Sequence, residues 1–186
     1  MATVDKDIWV GMAFFPSING PYEMQINTVE NFYAAIPNYP FDLYFNWQVY
    51  PSGNEWLYGQ GEQGITLSFS SGGVYSVSVD LVNPCGARGA EMPVWVYNPW
   101  DMFMVYPNPT TDFVSITKKS NPIKSTFETS SDQFEVSLFD QRGQEIINRD
   151  KADIETTLDL SKLKKGLYYI HIYYKEAVIR KQIKVE

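Results

Sequence analysis

One cysteine and one histidine are all that the 186 residues hold of two of the most reactive side-chain types. With Cys85 alone an intrachain disulfide is impossible, and the redox compartment cannot be read from it. Cys85 lies between Pro84 and Gly86, a turn setting, and a triad with His171 would have to join residues from opposite halves of the chain. His171 reads instead as a polar-face residue of a strand. No run of about 18 apolar residues exists, so no helix spans a bilayer. Cations are scarce too: 15 Lys and Arg stand against 22 Asp and Glu, a net charge of −7. That balance speaks against a nucleic-acid groove or an anionic membrane surface, either of which demands clustered cations. The carboxylates Asp5 with Asp7, and Asp150 with Asp153 and Glu155, lack the regular Asp/Asn spacing by which a rigid loop converges on a hard cation, and read as solvated surface. A distant carboxylate pair for glycoside hydrolysis is not excluded by spacing, but small domains without a deep cleft speak against it. The first fifteen residues have neither the basic start nor the uninterrupted apolar stretch of a secretory signal, so the protein is cytoplasmic or its signal peptide lies on a longer parent chain.

Helical periodicity is also nearly absent, and alternation by two takes its place. In FDLYFNWQVY, Leu43, Phe45, Trp47 and Val49 share one face of a strand and predict a core. GITLSFSSGGVYSVSVDLVN repeats the pattern with Ile65, Leu67 and Phe69, then with Tyr75, Val77, Val79 and Leu81. The intervening Ser-Ser-Gly-Gly reads as the turn of a hairpin. PCGARG reads as a loop and PVWVYNP as a last short strand. The pattern then restarts with Val114 and Ile116, with Phe134, Val136 and Leu138 before a turn at Asp140 to Gly143, with Tyr168, Ile170 and Ile172, and with Ile183 and Val185. Gly166 follows Lys-Lys where a residue free to take positive φ would let a strand start. KKSNPIKSTFETSSDQ, between Lys118 and Gln133, reads as a long mobile loop.

With 44% hydrophobic residues the chain can bury a real core. The fold class expected is all-β: two consecutive small immunoglobulin-like β-sandwich domains, at 1–98 and 106–186, joined by a linker at 99–105 bracketed by Pro99 and Pro107. Pro107 and Pro109 lack amide donors and tolerate only a strand's start, an edge or a turn.

The first half carries Asn19-Gly20-Pro21, FNWQVYPSG, GQGEQGITLSF and GGVYSVSVDLVNPCG, and over about residues 18 to 97 it resembles the PKD-like β-sandwich repeats of bacterial surface and secreted proteins. The resemblance implies a core tryptophan at Trp47, a Gly59 to Gly61 turn, and a spacer or adhesive role. Many such repeats hold a second cysteine soon after the Gly-Pro; this chain has none there, so Cys85 is expected as a free thiol.

The second half carries three blocks: VYPNPTTDFVSI, VSLFDQRGQEI, and LDLSKLKKGLYYIHIYY followed by KQIKV. Over about residues 104 to 186 it resembles the C-terminal sorting domain, of the sandwich kind known as type A, of type IX secretion cargo proteins. The family usually crosses between its first strands in fewer residues than 118–133. What the resemblance implies is a folded export signal, read by the outer-membrane translocon and its shuttle components. A sortase-like peptidase would then remove it, cutting at 99–105, and the passenger would commonly be attached to surface lipopolysaccharide. The protein would be secreted or held at the cell surface after passing the periplasm, and would be no enzyme, with no cofactor and no metal. The motif residues are Tyr106, Pro107, Asn108 and Pro109 in the opening block, Asp140 and Gly143 in the middle turn, Gly166 and Tyr168 in the last block, and Lys181, Ile183, Lys184 and Val185 in the terminal strand.

Two features keep other readings open. Exposed rings on a sandwich can stack on sugars, and Trp56 and Tyr58, in the loop NEWLYGQG, are the first choices for a glycan contact. Aromatics are equally ordinary strand and core residues. Lysines and Arg180 concentrate after position 161, either as protection of a strand edge or as a handle for an anionic partner.

Overall fold

The computed structural model describes residues 15–37, 43–83, 86–120, 122 and 133–186. Cys85, Asp5, Asp7 and most of the loop at 118–133 lie outside them. The chain divides into two compact units, Met1–Val96 and Tyr97–Glu186. Among the described residues both are built of strands, with no α-helix.

In the N-terminal unit one sheet has the order β1 (Ser17–Asn19), β3 (Glu30–Ala35), β6 (Gly64–Phe69), β5 (Glu55–Tyr58). The other has the order β2 (Glu23–Gln25), β8 (Gly86–Tyr97), β7 (Gly73–Asn83), β4 (Tyr44–Tyr50). The alternating apolar positions meet between the sheets: Phe32, Leu67, Phe69, Val77, Val79 and Leu81 are wholly buried, and Trp47 is almost so. The indole N–H of Trp47 donates to Glu62 O at 2.9 Å, which satisfies its polar end inside an apolar core.

Two local expectations are corrected. β6 and β7 do not form a hairpin, because β6 pairs with β3 and β5 while β7 pairs with β4 and β8. The Ser-Ser-Gly-Gly segment carries the chain from one sheet to the other, and both strands still turn their apolar residues to the shared interior. The glycines and arginine of PCGARG are not loop: β8 starts at Gly86 and runs twelve residues, with Asn83 opposite Gly86.

The C-terminal unit packs a sheet of order β13 (Glu155–Asp159), β10 (Phe113–Lys118), β9 (Phe103–Tyr106) with one of order β12 (Glu145–Ala152), β11 (Phe134–Phe139), β14 (Gly166–Tyr174), β15 (Ala177–Val185). Val114, Ile116, Phe134, Val136, Leu138, Ile170, Ile172 and Ile183 are fully buried. Phe103 packs edge-on against Phe134 at 5.0 Å and Tyr174 at 5.5 Å between ring centres. Residues 99–105 hold secondary structure of this unit: a 3-10 turn at Pro99–Asp101, capped by the Asn98 side chain accepting from Trp100 N–H, and then most of β9, which pairs with β10.

Candidate functional site

Of the sorting-motif residues, the structure brings the opening block and the terminal strand together. β15 is an edge strand, and its unpaired side is met by residues 108–110. Thr110 N–H donates to Lys184 O at 2.9 Å and Glu186 N–H donates to Thr110 O at 2.8 Å, around a parallel bridge between Thr110 and Val185. Asn108 extends the same contact with its side chain. Its Nδ2 donates to Gln182 O at 3.0 Å, and Lys184 N–H donates to its Oδ1 at 3.0 Å. A carboxamide has the donor and acceptor of a peptide group, so Asn108 stands where the next strand of the sheet would stand. The flanking Tyr106-Pro107 and Asn108-Pro109 peptide bonds are both cis, and residues 107–109 form a bend between β9 and the bridge at Thr110.

Around this clasp the residues divide by role. Ile183 and Val185 are core residues, buried to 0% and 3% exposure, and of the motif residues in the terminal strand Lys184 faces outward, while Lys181, opposite Ile170, is half-buried on the same side of the strand as Ile183. Lys181 Nζ donates to Trp100 O at 2.9 Å, tying the turn at Pro99–Asp101 to β15. Lys184 pairs with Glu186, and this hydrogen bond, with its charge and that of Lys165, holds the Glu186 carboxyl below its ordinary range. Tyr106 lies on the outer face of the smaller sheet, its hydroxyl 3.2 Å from Thr117 Oγ1 and donating to Glu155 Oε1 at 3.3 Å. A pocket of about 380 Å³ opens beside the clasp, lined by Pro107, Pro109, Thr110, Asp112, Phe113 and Glu186.

The remaining motif residues form a second cluster. Asp140 Oδ1 accepts from Arg142 N–H at 2.8 Å and Gln144 N–H at 2.9 Å, closing a turn in which Gly143 takes φ +79°. Gly166 and Tyr168 line a pocket of about 390 Å³ with Asp140, Arg142, Lys164 and Lys165, and the Tyr168 hydroxyl donates to Lys164 O at 2.8 Å. Gly166 does not take positive φ. It opens β14 opposite Val185, and an added Cβ would meet nothing closer than 3.9 Å. His171 is half-buried, its ring 4.3 Å from that of Phe139; burial, then the charge of Arg180, push its pKa down.

Trp56 and Tyr58 are on strand β5, not in a loop, and both are exposed, at 56% and 70%. Their rings are 6.2 Å apart and within 10° of parallel. Thr110 and Gln60 did not stand out in the sequence. Gln60 repeats the Asn108 device: Trp47 N–H donates to its Oε1, and its Nε2 donates to Trp47 O, both at 3.0 Å, on the free side of edge strand β4. In each case the available signal is a carboxamide between two turn residues, Gly59 and Gly61 or Pro107 and Pro109.

The two units make the chain a tandem of immunoglobulin-like β-sandwiches. The D00-D0 domain of intimin is 12% identical, with 92% of this chain and 100% of that one covered and a TM-score of 0.54, which shows a shared fold. A three-immunoglobulin-domain segment of titin also matches, at 12% identity, 94% of this chain, 64% of the other, and TM-score 0.46. No curated protein sequence matches. Residues 104–186 match the family model described as "Secretion system C-terminal sorting domain". The C-terminal unit is thus a sorting domain of the type IX secretion kind, preceded by an immunoglobulin-like sandwich.

Proposed function

We propose that the chain is the C-terminal part of a secreted or surface protein, and that its export signal is read as a composite surface made by the opening block and the terminal strand. The observation that supports this is the Asn108 clasp, which sets Asn108 of the opening block against Gln182 and Lys184 of the terminal strand although they lie more than seventy positions apart. The translocon and its shuttle components meet that surface in the periplasm. A sortase-like peptidase then cuts within 99–105, freeing the passenger for attachment to surface lipopolysaccharide. β9 is an edge strand paired on one side only, so peeling it from β10 is the least costly way to expose that backbone. The protein itself performs no catalysis. The N-terminal sandwich serves as spacer or adhesive module, and a second reading, glycan binding, is favoured by the parallel exposed rings of Trp56 and Tyr58.

The test is made in the full-length parent. Deleting residues 176–186 is expected to trap it in the periplasm, and mass spectrometry of the mature protein's C-terminus is expected to place the last residue within or before 99–105. Normal surface delivery of the truncated parent, or a mature chain that retains residues 104–186, overturns the reading.

A further inference from the structure

The outer face of the β1-β3-β6-β5 sheet differs from the rest of this acidic chain. The residues pointing away from the core on these strands, from Ser17 and Asn19 on β1 to Trp56 and Tyr58 on β5, include no charged side chain. Three of them are rings exposed by more than half: Tyr33 at 54%, Trp56 at 56% and Tyr58 at 70%. Tyr33 lies flat, because a Cβ built at Gly64, its cross-strand partner, would sit 2.6 Å from both Cδ1 and Cε1 of that ring. The missing side chain at Gly64 is what lets the ring lie on the sheet with one face to solvent. Trp56 and Tyr58, two positions apart on the edge strand, hold parallel planes. Between the rings run Thr66, Ser68 and Asn31, where Thr66 Oγ1 donates to Asn31 Oδ1 at 3.0 Å and leaves the amide nitrogen as the outward donor.

We infer that this face binds a neutral polysaccharide. Flat rings with exposed faces suit the C–H faces of pyranose rings, and hydroxyl and amide groups between them suit the equatorial hydroxyls. β5 and β3 are two strand spacings apart, about 10 Å, the span of two sugar rings. An uncharged face on a chain of net charge −7 favours a ligand without charge, since an anionic glycan meets long-range repulsion. The interleaved polar groups set the face apart from the continuous apolar centre of a protein interface. The inference deepens the second reading above and is independent of the sorting role of residues 104–186.

The test is native affinity electrophoresis of the whole chain in gels containing hydroxyethylcellulose, xylan, mannan or laminarin, with alginate as the anionic control. At least one neutral polymer is expected to retard the protein equally at low and high salt. Trp56→Ala and Gly64→Ala are each expected to weaken binding roughly tenfold or more, the loss of a stacked ring. Tyr50→Ala, an exposed ring on the opposite sheet, should bind as the parent does. Tyr58→Ala replaces any variant whose thermal melt shows that it has unfolded. Retardation by none of the four neutral polymers, retardation by alginate alone, or undiminished binding by folded Trp56→Ala and Tyr58→Ala overturns the inference. So does a change in sedimentation showing that Trp56→Ala dissolves a dimer, which would give the face to a second copy.

Discussion

Replacing Asn108 by alanine removes two hydrogen bonds to the main chain of β15, each 3.0 Å long, and leaves the bonds of Thr110 in place. Gln182 O and Lys184 N–H lie at the surface and regain water, so the cost is the net worth of the two bonds without a desolvation penalty, about 1–3 kcal/mol. The Lys184 amide reports this directly, because its N–H is the one Asn108 accepts. If its exchange follows local opening, that loss raises the rate by about 5- to 150-fold. Hydrogen exchange resolved to single amides is the assay, with Val79 of the N-terminal unit as internal reference. Asn108→Asp keeps an acceptor for Lys184 N–H but sets an oxygen against Gln182 O, so its Lys184 amide should exchange faster than the parent's as well. Unchanged exchange at Lys184 in the alanine variant refutes the clasp. An equal acceleration at Val79 refutes its local character.

The same device in the N-terminal unit predicts that Gln60→Ala costs more, about 2–4 kcal/mol, because Trp47 is almost wholly buried and its main-chain groups regain water less readily. Urea unfolding followed by tryptophan fluorescence measures it, and a loss below that range would mean that the Gly59 to Gly61 turn holds β4 without the carboxamide. A third prediction concerns acidification. Burial and Arg180 lower the His171 pKa from its usual 6.5 in the folded chain, so the unfolded chain binds more protons as pH falls through the His range. The stability His171 contributes is present above about pH 6.5 and is lost on descending toward the lowered folded value. Thermal melts between about pH 5 and pH 7.5 should show a slope that His171→Gln flattens. A slope unchanged in that variant would assign the dependence elsewhere.

Strand edges are where this chain sets two of its carboxamide side chains. β4 and β15 each close one edge of a sheet, and an unpaired edge invites pairing with another chain. Gln60 and Asn108 occupy the free main-chain groups without adding a strand, and the exposed Lys184 adds charge at the second edge. In the C-terminal unit the groups that shield β15 are those that hold the opening block beside it.

What the residues alone determined was local. Alternation named the buried face of most strands, from Phe45 and Trp47 to Ile170 and Ile172, because a strand's two faces repeat every second residue whatever it pairs with. The three blocks of the sorting domain were legible by resemblance to the family, and each is a short contiguous segment. Pairing was settled only in three dimensions. Ser-Ser-Gly-Gly can close a hairpin or cross between sheets, and the choice rests on distant β3 and β8. The Asn108 contact with Gln182 and Lys184, and the uncharged face around Tyr33 and Trp56, exist because of which strands became edges and which residues came to lie side by side. Periodicity is a property of one segment, whereas an edge belongs to the whole sheet.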